Sequence, residues 1–399
     1  MSTQASPGRC CITDPQGWYR DPDSKIRKRF GIYRDHGCDT LRVEVDWRSM
    51  ELREGHWDTS VAERYLRLAV EHGFRLKIIV GVMMAPPGWY LDAHPDAVIT
   101  DETGLASRNT LSYWYPNLQE TIRSRTRKLY DVVKAANAWP LVDFIIPAFG
   151  PAGEPIYPHP WTLGMDDRPV TFWCYAPAAQ RDFRVNMRRK YRRIESANRV
   201  WSTSFTDWEQ VTVPTPGASP GPMWRDVLTW YRDSKRRFVE WQAASDARLM
   251  RAYTPRRIET LVYVPGTHYS DTDWEEAVQT GRGNDWIKLM ADSRWLIDTA
   301  AKRKWWLQYT GAENEPEVAA LRRYLDTRGY SKIIMWAENA GYYDCAKDPV
   351  RLAEICLKHN LWGLDLTHGH FLFEADGITP NAIMPELGRA FAMLRNARR

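Results

Sequence analysis

Residues 74–81 read Phe-Arg-Leu-Lys-Ile-Ile-Val-Gly, a short run of apolar and β-branched residues that is typical of a buried strand. Similar runs recur along the chain, and longer stretches with the apolar period of an amphipathic helix lie between them. The predicted strands span 10–13, 40–47, 74–81, 142–149, 257–264, 304–309, 332–337 and 361–366. The predicted helices span 24–35, 59–72, 118–136, 224–252, 285–301, 315–328 and 349–358.

This alternation indicates an α/β protein and favours a closed (β/α)8 TIM barrel over an open doubly wound sheet. Two intervals are long, residues 86–116 after the third strand and residues 150–222 after the fourth. We expect a single catalytic barrel over 1–399, in which 150–222 forms a subdomain inserted at the barrel mouth. No Gly-rich phosphate loop follows any predicted strand, so we expect no nucleotide and no other cofactor.

The amino-acid composition indicates which kinds of molecule the protein binds. The 399 residues include 20 Trp and 19 Tyr, and aromatic faces suit the C–H faces of sugar rings as well as they suit core packing. A net charge of +5 is a mild excess and gives little support for nucleic-acid binding. No apolar run is long enough to span a membrane, and residues 1–14 lack the apolar region of a signal peptide. The six Cys have no metal-ligand spacing, so we predict reduced thiols, no metal and a cytoplasmic protein.

One dense basic cluster lies in residues 181–193, with seven Arg or Lys side chains. Only Phe183 and Tyr191 interleave with them, which is poor support for a nucleic-acid reader. A solvated helix face is the favoured interpretation. An anionic polysaccharide or a second subunit, making a homo-oligomer, is the alternative.

Two carboxylates stand where a barrel places its chemistry, at the carboxyl ends of strands. Glu154 follows the fourth predicted strand through the four residues 150–153, and Glu338 directly follows the seventh. These strands lie roughly opposite each other across a barrel mouth. Glycoside hydrolysis needs such a pair, with one protonated carboxyl and one ionised carboxylate. The ordinary alternative for either Glu is a solvated loop residue or a residue at a helix start.

The residues around Glu154 and Glu338 resemble the catalytic segments of a known enzyme family. Residues 150–158, Gly-Pro-Ala-Gly-Glu-Pro-Ile-Tyr-Pro, resemble the stretch around the catalytic acid of the β-amylase family. Residues 338–344, Glu-Asn-Ala-Gly-Tyr-Tyr-Asp, resemble the stretch around the catalytic base of that family. Residues 172–175 and 305–306 also resemble segments of that family in their order and spacing. The resemblance implies a (β/α)8 glycosidase with Glu154 as general acid and Glu338 as general base or nucleophile. Tyr157, Trp306, Gln308 and Asn339, which lie in or beside these motifs, are predicted to contact substrate.

The chain also departs from that family. The family's mobile Gly-rich loop is replaced by residues 85–92, its lysine after the Trp pair is Gln308 here, and its Thr-bearing inner loop has no counterpart in 312–331. These departures argue against starch as the substrate. Residues 86–117, with Pro-Pro-Gly-Trp, His-Pro-Asp and Tyr-Pro-Asn, are instead similar to the barrel β-galactosidases.

Further substrate contacts are predicted from position and residue type. Arg42, Glu44 and Asp46 alternate on one side of the second strand, where they form either an internal ion-pair layer or sugar contacts. Asp46 and Trp47, nearest the strand end, are the favoured site residues of that group. Trp89, Trp114 and Tyr115 in the first insertion, with Trp161 and Trp173 in the second, are either sugar platforms or packing residues, and we favour a sugar cleft for the group.

Two later residues complete the candidates. Glu313 follows the sixth strand and either binds a hydroxyl or belongs to a plain helix start with Asn314 as cap and Pro316 in the first turn. His368 follows the eighth strand and is expected to hydrogen-bond substrate rather than hold a metal.

The predicted function is hydrolysis of an oligo- or polysaccharide, with exo action because both insertions would wall the mouth. The flanks of the two Glu favour the inverting family. A retaining β-galactosidase-like enzyme or transglycosidase, a non-catalytic glycan-binding barrel, and a basic nucleic-acid binder are the alternatives.

Overall fold

In the computed structural model, which describes residues 9–84, 86–266, 268–339 and 348–397, eight parallel strands close into a barrel. Each strand pairs with the next in the chain, and the last pairs with the first. The strands are β1 (Cys10–Thr13), β2 (Thr40–Asp46), β3 (Arg75–Gly81), β4 (Val142–Pro147), β5 (Glu259–Val264), β6 (Trp306–Tyr309), β7 (Met335–Glu338) and β8 (Leu364–Leu366). The predicted (β/α)8 TIM barrel is confirmed.

Helices surround the barrel and also fill the insertions. They are α1 (Asp23–Asp35), α2 (Trp47–Met50), α3 (Ser60–Glu71), α4 (Gly88–Ala93), α5 (Leu118–Ala135), α6 (Pro177–Tyr191), α7 (Ile194–Trp201), α8 (Pro222–Met250), α9 (Asp271–Thr280), α10 (Asp285–Leu289), α11 (Ser293–Arg303), α12 (Glu315–Thr327), α13 (Pro349–Lys358) and α14 (Met384–Asn396). A two-stranded hairpin, Ile99–Thr100 with Ala106–Ser107, lies in the first insertion.

The predicted helix 285–301 is two helices in the structure. Met290 adopts a left-handed φ of 50°, which ends α10, and the Asp292 carboxylate accepts a hydrogen bond from the Trp295 amide to start α11. Apolar periodicity continues across such a break, so the period alone does not reveal it. Helices α9 and α14 are also present without having been predicted from the sequence.

Two apolar clusters hold the barrel together. The larger one lies between the outer faces of the strands and the helices, as Val43 and Val45 of β2 illustrate. The smaller one fills the barrel interior and includes Phe144, Ile146 and Trp336. Above these apolar residues the interior becomes polar, and that change sets the position of the site. No helix among the described residues is long and apolar enough to cross a membrane.

Candidate active site

A tight turn after β4 positions Glu154. The amide of Gly153 donates to the Gly150 carbonyl at 2.9 Å, and the Phe149 amide donates to the Gly153 carbonyl at 3.1 Å. A Cβ on Gly150 would lie 2.6 Å from the Ile156 carbonyl oxygen, and Gly153 has a φ of 83°. Glycine is therefore required at both positions, and the closed turn places the Glu154 side chain at the mouth of the barrel.

Glu338 is the last residue of β7, and two donors fix its carboxylate. Arg42 Nη1 lies 2.6 Å from Oε1, and the Gln308 amide nitrogen donates to Oε2. Burial raises the pKa of Glu338, while the adjacent Arg42 guanidinium opposes that rise. The carboxylate is held in one orientation, with 7% of the residue exposed toward the mouth.

Glu154 and Glu338 line the same cavity, which has a volume of about 950 Å³. One side is built by the ends of the strands and the residues after them, and the other side by the segments after β4 and β5. The lining residues include Arg42, Glu44, Glu154, Ile156, His159, Trp161, Tyr263, Trp286, Leu289, Thr310, Glu338, Asn339, Thr367 and His368.

The environment of Glu154 suits a group that carries a proton near neutral pH. Burial raises its pKa to about 7, a Thr310 hydrogen bond opposes the rise, and the charge of Glu338 adds to it. Thr310 Oγ1 also lies 3.2 Å from the Val264 carbonyl. A hydroxyl can donate to one oxygen and accept from another, so Thr310 can pair with either protonation state of Glu154.

Five of the predicted site residues meet in this cavity, namely Glu154, Trp161, Glu338, Asn339 and His368. The Asn339 amide oxygen accepts from the Thr367 amide at 2.8 Å, whereas its Nδ2 has no hydrogen-bond partner among the described residues. Burial lowers the pKa of His368 to about 4, with the charges of His370 and Arg42 adding to the effect. The motif residues 340–344 lie outside the described residues.

Asp46 and Trp47 lie outside the cavity lining. The Asp46 carboxylate caps α2 by accepting from the Ser49 amide at 2.8 Å, and it also accepts from Gln16. Trp47 is fully buried, and its indole nitrogen donates to Glu51. The predicted strand alternation holds for Arg42 and Glu44, which line the cavity, whereas Asp46 at the end of β2 uses its carboxylate to cap α2.

The predicted aromatic platforms pack against one another behind the cavity wall. Trp114 stacks between Tyr157 and Trp230, and Tyr157 stacks on Tyr231 with ring centroids 3.9 Å apart. Trp89 donates to the Glu51 carbonyl, and the Tyr115 hydroxyl pairs with that of Tyr90 at 3.1 Å. None of Trp89, Trp114, Tyr115 and Tyr157 is among the cavity-lining residues. Of the predicted platforms, Trp161 lines the cavity, and Trp286 lines it as well.

Three further residues that were predicted to contact substrate lie outside the cavity lining. Trp306 begins β6 and packs against Phe144 and Trp362, toward the amino-terminal end of the barrel. Gln308 is fully buried and contacts Glu338 from below the cavity. Glu313 lies in the loop before α12, outside the cavity lining, where Asn314 is the N-cap residue as predicted.

Four residues that sequence reasoning missed as site residues surround the two carboxylates, namely Tyr263, Thr310, Lys77 and Asp365. Asp365 is flanked by Leu364 and Leu366, and one acidic residue inside an apolar strand is a usable signal for an inward side chain. Glu44, one of the alternating charges of β2, is placed in the cavity lining. Burial raises its pKa to about 8, Asp46 adds to the rise, and Arg42 opposes it.

The two insertions contribute differently. Residues 154–166 supply one cavity wall, including His159 and Trp161. No residue of 86–116 described by the structure lines the cavity, so the prediction that both insertions wall it is wrong for the first one. That insertion supports the second from behind, where Asn109 donates to the Thr162 carbonyl at 2.6 Å.

Comparison with known proteins adds to this geometry. The family model of the family 42 glycoside hydrolases, described as β-galactosidase, matches residues 14–138 and 164–303, about two thirds of the chain. The chain belongs to glycoside hydrolase family 42. This family 42 member is also 25% identical over 259 residues to a β-galactosidase of Thermus thermophilus, covering 62% of this chain and 36% of the relative.

The β-amylase similarity is present as well. A thermophilic β-amylase of Thermoanaerobacterium thermosulfurigenes is 30% identical over 158 residues, covering 36% of this family 42 chain and 27% of the relative. The solved catalytic domain of the Paenibacillus polymyxa β-amylase superposes with a TM-score of 0.78 at 17% identity, covering 99% of this chain and 100% of that one. This likeness shows a shared fold. The chain spans less than half the length of the two relatives named here.

Proposed function

We propose that this family 42 chain hydrolyses a glycosidic bond of an oligo- or polysaccharide, with Glu154 as general acid and Glu338 as general base. The observation that carries the proposal is the pairing of two unlike carboxyls in one cavity. Glu154 has a pKa of about 7 and is available as a proton donor, whereas Arg42 and Gln308 stabilise the ionised form of Glu338.

In the proposed reaction Glu154 gives its proton to the glycosidic oxygen as the bond from that oxygen to the anomeric carbon breaks. Glu338 takes a proton from a water molecule whose oxygen bonds to the anomeric carbon from the opposite face. One water is consumed, and the two carboxyls end with their protonation exchanged. Transfer of that proton back through solvent restores the starting state.

Other cavity residues supply sugar contacts in this proposal. Glu44 lines the cavity, and no described residue donates a hydrogen bond to its carboxyl. Asn339 also lines the cavity, and its Nδ2 has no hydrogen-bond partner among the described residues. A polar group at a cavity wall that has no protein partner can bind a substrate hydroxyl. Trp161 and Trp286 offer apolar faces on the opposite wall.

Exo action is part of the proposal and is supported by the shape of the cavity. The wall built by residues 154–166 and by Trp286 and Leu289 stands over the barrel mouth, which leaves room for a chain end. The same proposal treats 1–399 as one catalytic barrel with 150–222 as its inserted subdomain. Cys10, Cys11, Cys38 and Cys174 are buried free thiols, which supports a reducing cytoplasmic setting.

The stereochemical outcome separates two versions of the proposal. The sequences around Glu154 and Glu338 are β-amylase-like and support inversion. The family 42 model match supports the second version, in which Glu338 is the nucleophile of a retaining β-galactosidase-like enzyme or transglycosidase. Inversion requires carboxyl groups roughly 6.5–9.5 Å apart and retention about 5–5.5 Å, because only the former leaves space for water.

The test is a screen of aryl glycosides and oligosaccharides, followed by NMR of the first product formed from the best substrate. A product with inverted anomeric configuration supports the first version, and a retained configuration supports the second. If the screen detects sugar binding without hydrolysis, the hydrolase proposal is wrong and a glycan-binding barrel replaces it. A mixture of long products at the earliest times contradicts exo action.

A further inference from the structure

Below Glu338 the barrel interior holds two cations and two carboxylates from neighbouring strands. Arg42 of β2 and Lys77 of β3 stand in register, as do Glu338 of β7 and Asp365 of β8. Lys77 and Asp365 are fully buried, and Gln308 of β6 lies between the pairs with no exposed surface. Buried charges of this kind persist only when each is paired.

The contacts of Lys77 fix the orientation of the Gln308 amide. Lys77 Nζ donates to Gln308 Oε1 at 2.7 Å, and an ammonium group cannot accept a hydrogen bond. The Gln308 oxygen therefore faces Lys77, and its nitrogen faces Glu338 Oε2 and, at 3.1 Å, Asp365 Oδ2. With the amide reversed, its oxygen would face both carboxylates and its nitrogen would face a cation.

Lys77 also balances the charge of the cluster. Its ammonium lies 3.1 Å from Asp365 Oδ2 and 3.3 Å from the centre of the Trp336 ring, whose face attracts a cation. Arg42 lies 3.4 Å from the same Asp365 oxygen and 2.6 Å from Glu338. Without Lys77, one cation would remain for two buried carboxylates, and binding a proton would relieve the imbalance.

We propose that Lys77 is a positioning residue that acts through Gln308 and Asp365 to keep Glu338 ionised and correctly oriented. The inference rests on the proposed function, because it assumes that Glu338 must be ionised for turnover. Lys77 itself does not line the cavity, so it does not contact substrate. Apart from Arg42, Lys77, Glu338 and Asp365 themselves, the titratable groups among the described residues that face the cluster or share its cavity are Cys11, Glu44, Glu154, His159, Asp166, Tyr263 and His368.

The test compares pH profiles of kcat/KM for the full chain and for Lys77→Met. Activity falls at low pH as the base gains a proton, so loss of the Lys77 charge should move that acidic limb upward by about one pH unit or more. Lys77→Arg keeps the charge and should restore most of the original limb. Lys235→Met removes another fully buried lysine, which donates to the Met290 carbonyl, and should leave the limb in place.

A second variant and a second readout cover the cases in which Lys77→Met does not fold or no substrate is hydrolysed. Gln308→Met removes the link while retaining the Lys77–Asp365 pair, and it should raise the acidic limb as well. An infrared or carbon-13 NMR titration without substrate should show Glu338 protonating at a higher pH in Lys77→Met than in the parent chain. Because that titration needs no turnover, failure of the proposed function is distinguishable from failure of this inference. An acidic limb and a carboxyl titration that do not move in a folded variant would overturn the assignment.

Discussion

Replacement of Glu154 by Gln should slow catalysis and also change how stability depends on pH. Gln is nearly isosteric with Glu but does not titrate. Loss of general acid catalysis is expected to lower kcat by about two to four orders of magnitude. The same change removes a carboxyl whose pKa burial raises to about 7 from an ordinary 4.5.

The size and sign of the stability effect follow from linkage between protonation and folding. A carboxyl with a raised pKa in the folded state contributes stability that is present below about pH 4.5 and is lost as pH rises through about 7. At about 1.36 kcal/mol per pKa unit, the loss is about 3 kcal/mol at most. Glu154→Gln lacks this loss. The unfolding free energy of the variant minus that of the parent chain should therefore increase by about 3 kcal/mol between about pH 4.5 and 8.

The assay is urea unfolding of both proteins at a series of pH values, with the difference in unfolding free energy plotted against pH. Groups common to both proteins, such as Glu44, largely cancel in this difference. Asp246→Asn is the matched control, because Asp246 on α8 is buried away from the cavity lining and burial raises its pKa to about 8. It should show a slope of the same sign with unchanged kcat. A difference for Glu154→Gln that is flat from pH 4.5 to 8 would refute the assigned environment of Glu154.

Three further substitutions test other parts of the site. Thr310→Val removes a hydrogen bond that lowers the pKa of Glu154, so the alkaline limb of the kcat/KM profile should move upward; an unchanged limb would contradict the contact. Glu44→Ala should raise the KM measured by steady-state kinetics about tenfold, which corresponds to about 1.4 kcal/mol of substrate binding. An unchanged KM would show that Glu44 does not contact the sugar. Trp114→Ala should lower the free energy of unfolding measured in urea by about 3–5 kcal/mol, while the KM of the folded protein changes less than twofold. A rise in KM without loss of stability would instead show that Trp114 contacts the sugar.

The fold was predictable because its signal is local and repeated. The strand at residues 10–13 and the helix at 349–358 were predicted with the bounds that the structure shows, and the other predicted strands were found within a few residues. The split at Met290 was not predictable from apolar period, since a left-handed residue between two amphipathic segments does not alter that period.

The candidate site was predictable only in part. Glu154 and Glu338 stood out because strand ends locate chemistry in a barrel, and the structure brings both into one cavity. The aromatic residues were misjudged because composition cannot tell a Trp that lines a cleft from one that packs behind it. Trp114 and Trp161 both lie in long insertions that follow strands, yet only Trp161 lines the cavity. Contacts such as Lys77 with Gln308 join β3 to β6, and no single-sequence signal reports a pairing across the barrel.

The most direct test of the Glu154–Glu338 pair is the turnover of Glu338→Gln on the best substrate from the screen. With folding verified by circular dichroism, kcat should fall by about two to four orders of magnitude, because Gln can neither accept a proton from water nor act as a nucleophile. Hydrolysis by the folded variant at the rate of the parent chain would contradict the assignment of this carboxylate pair.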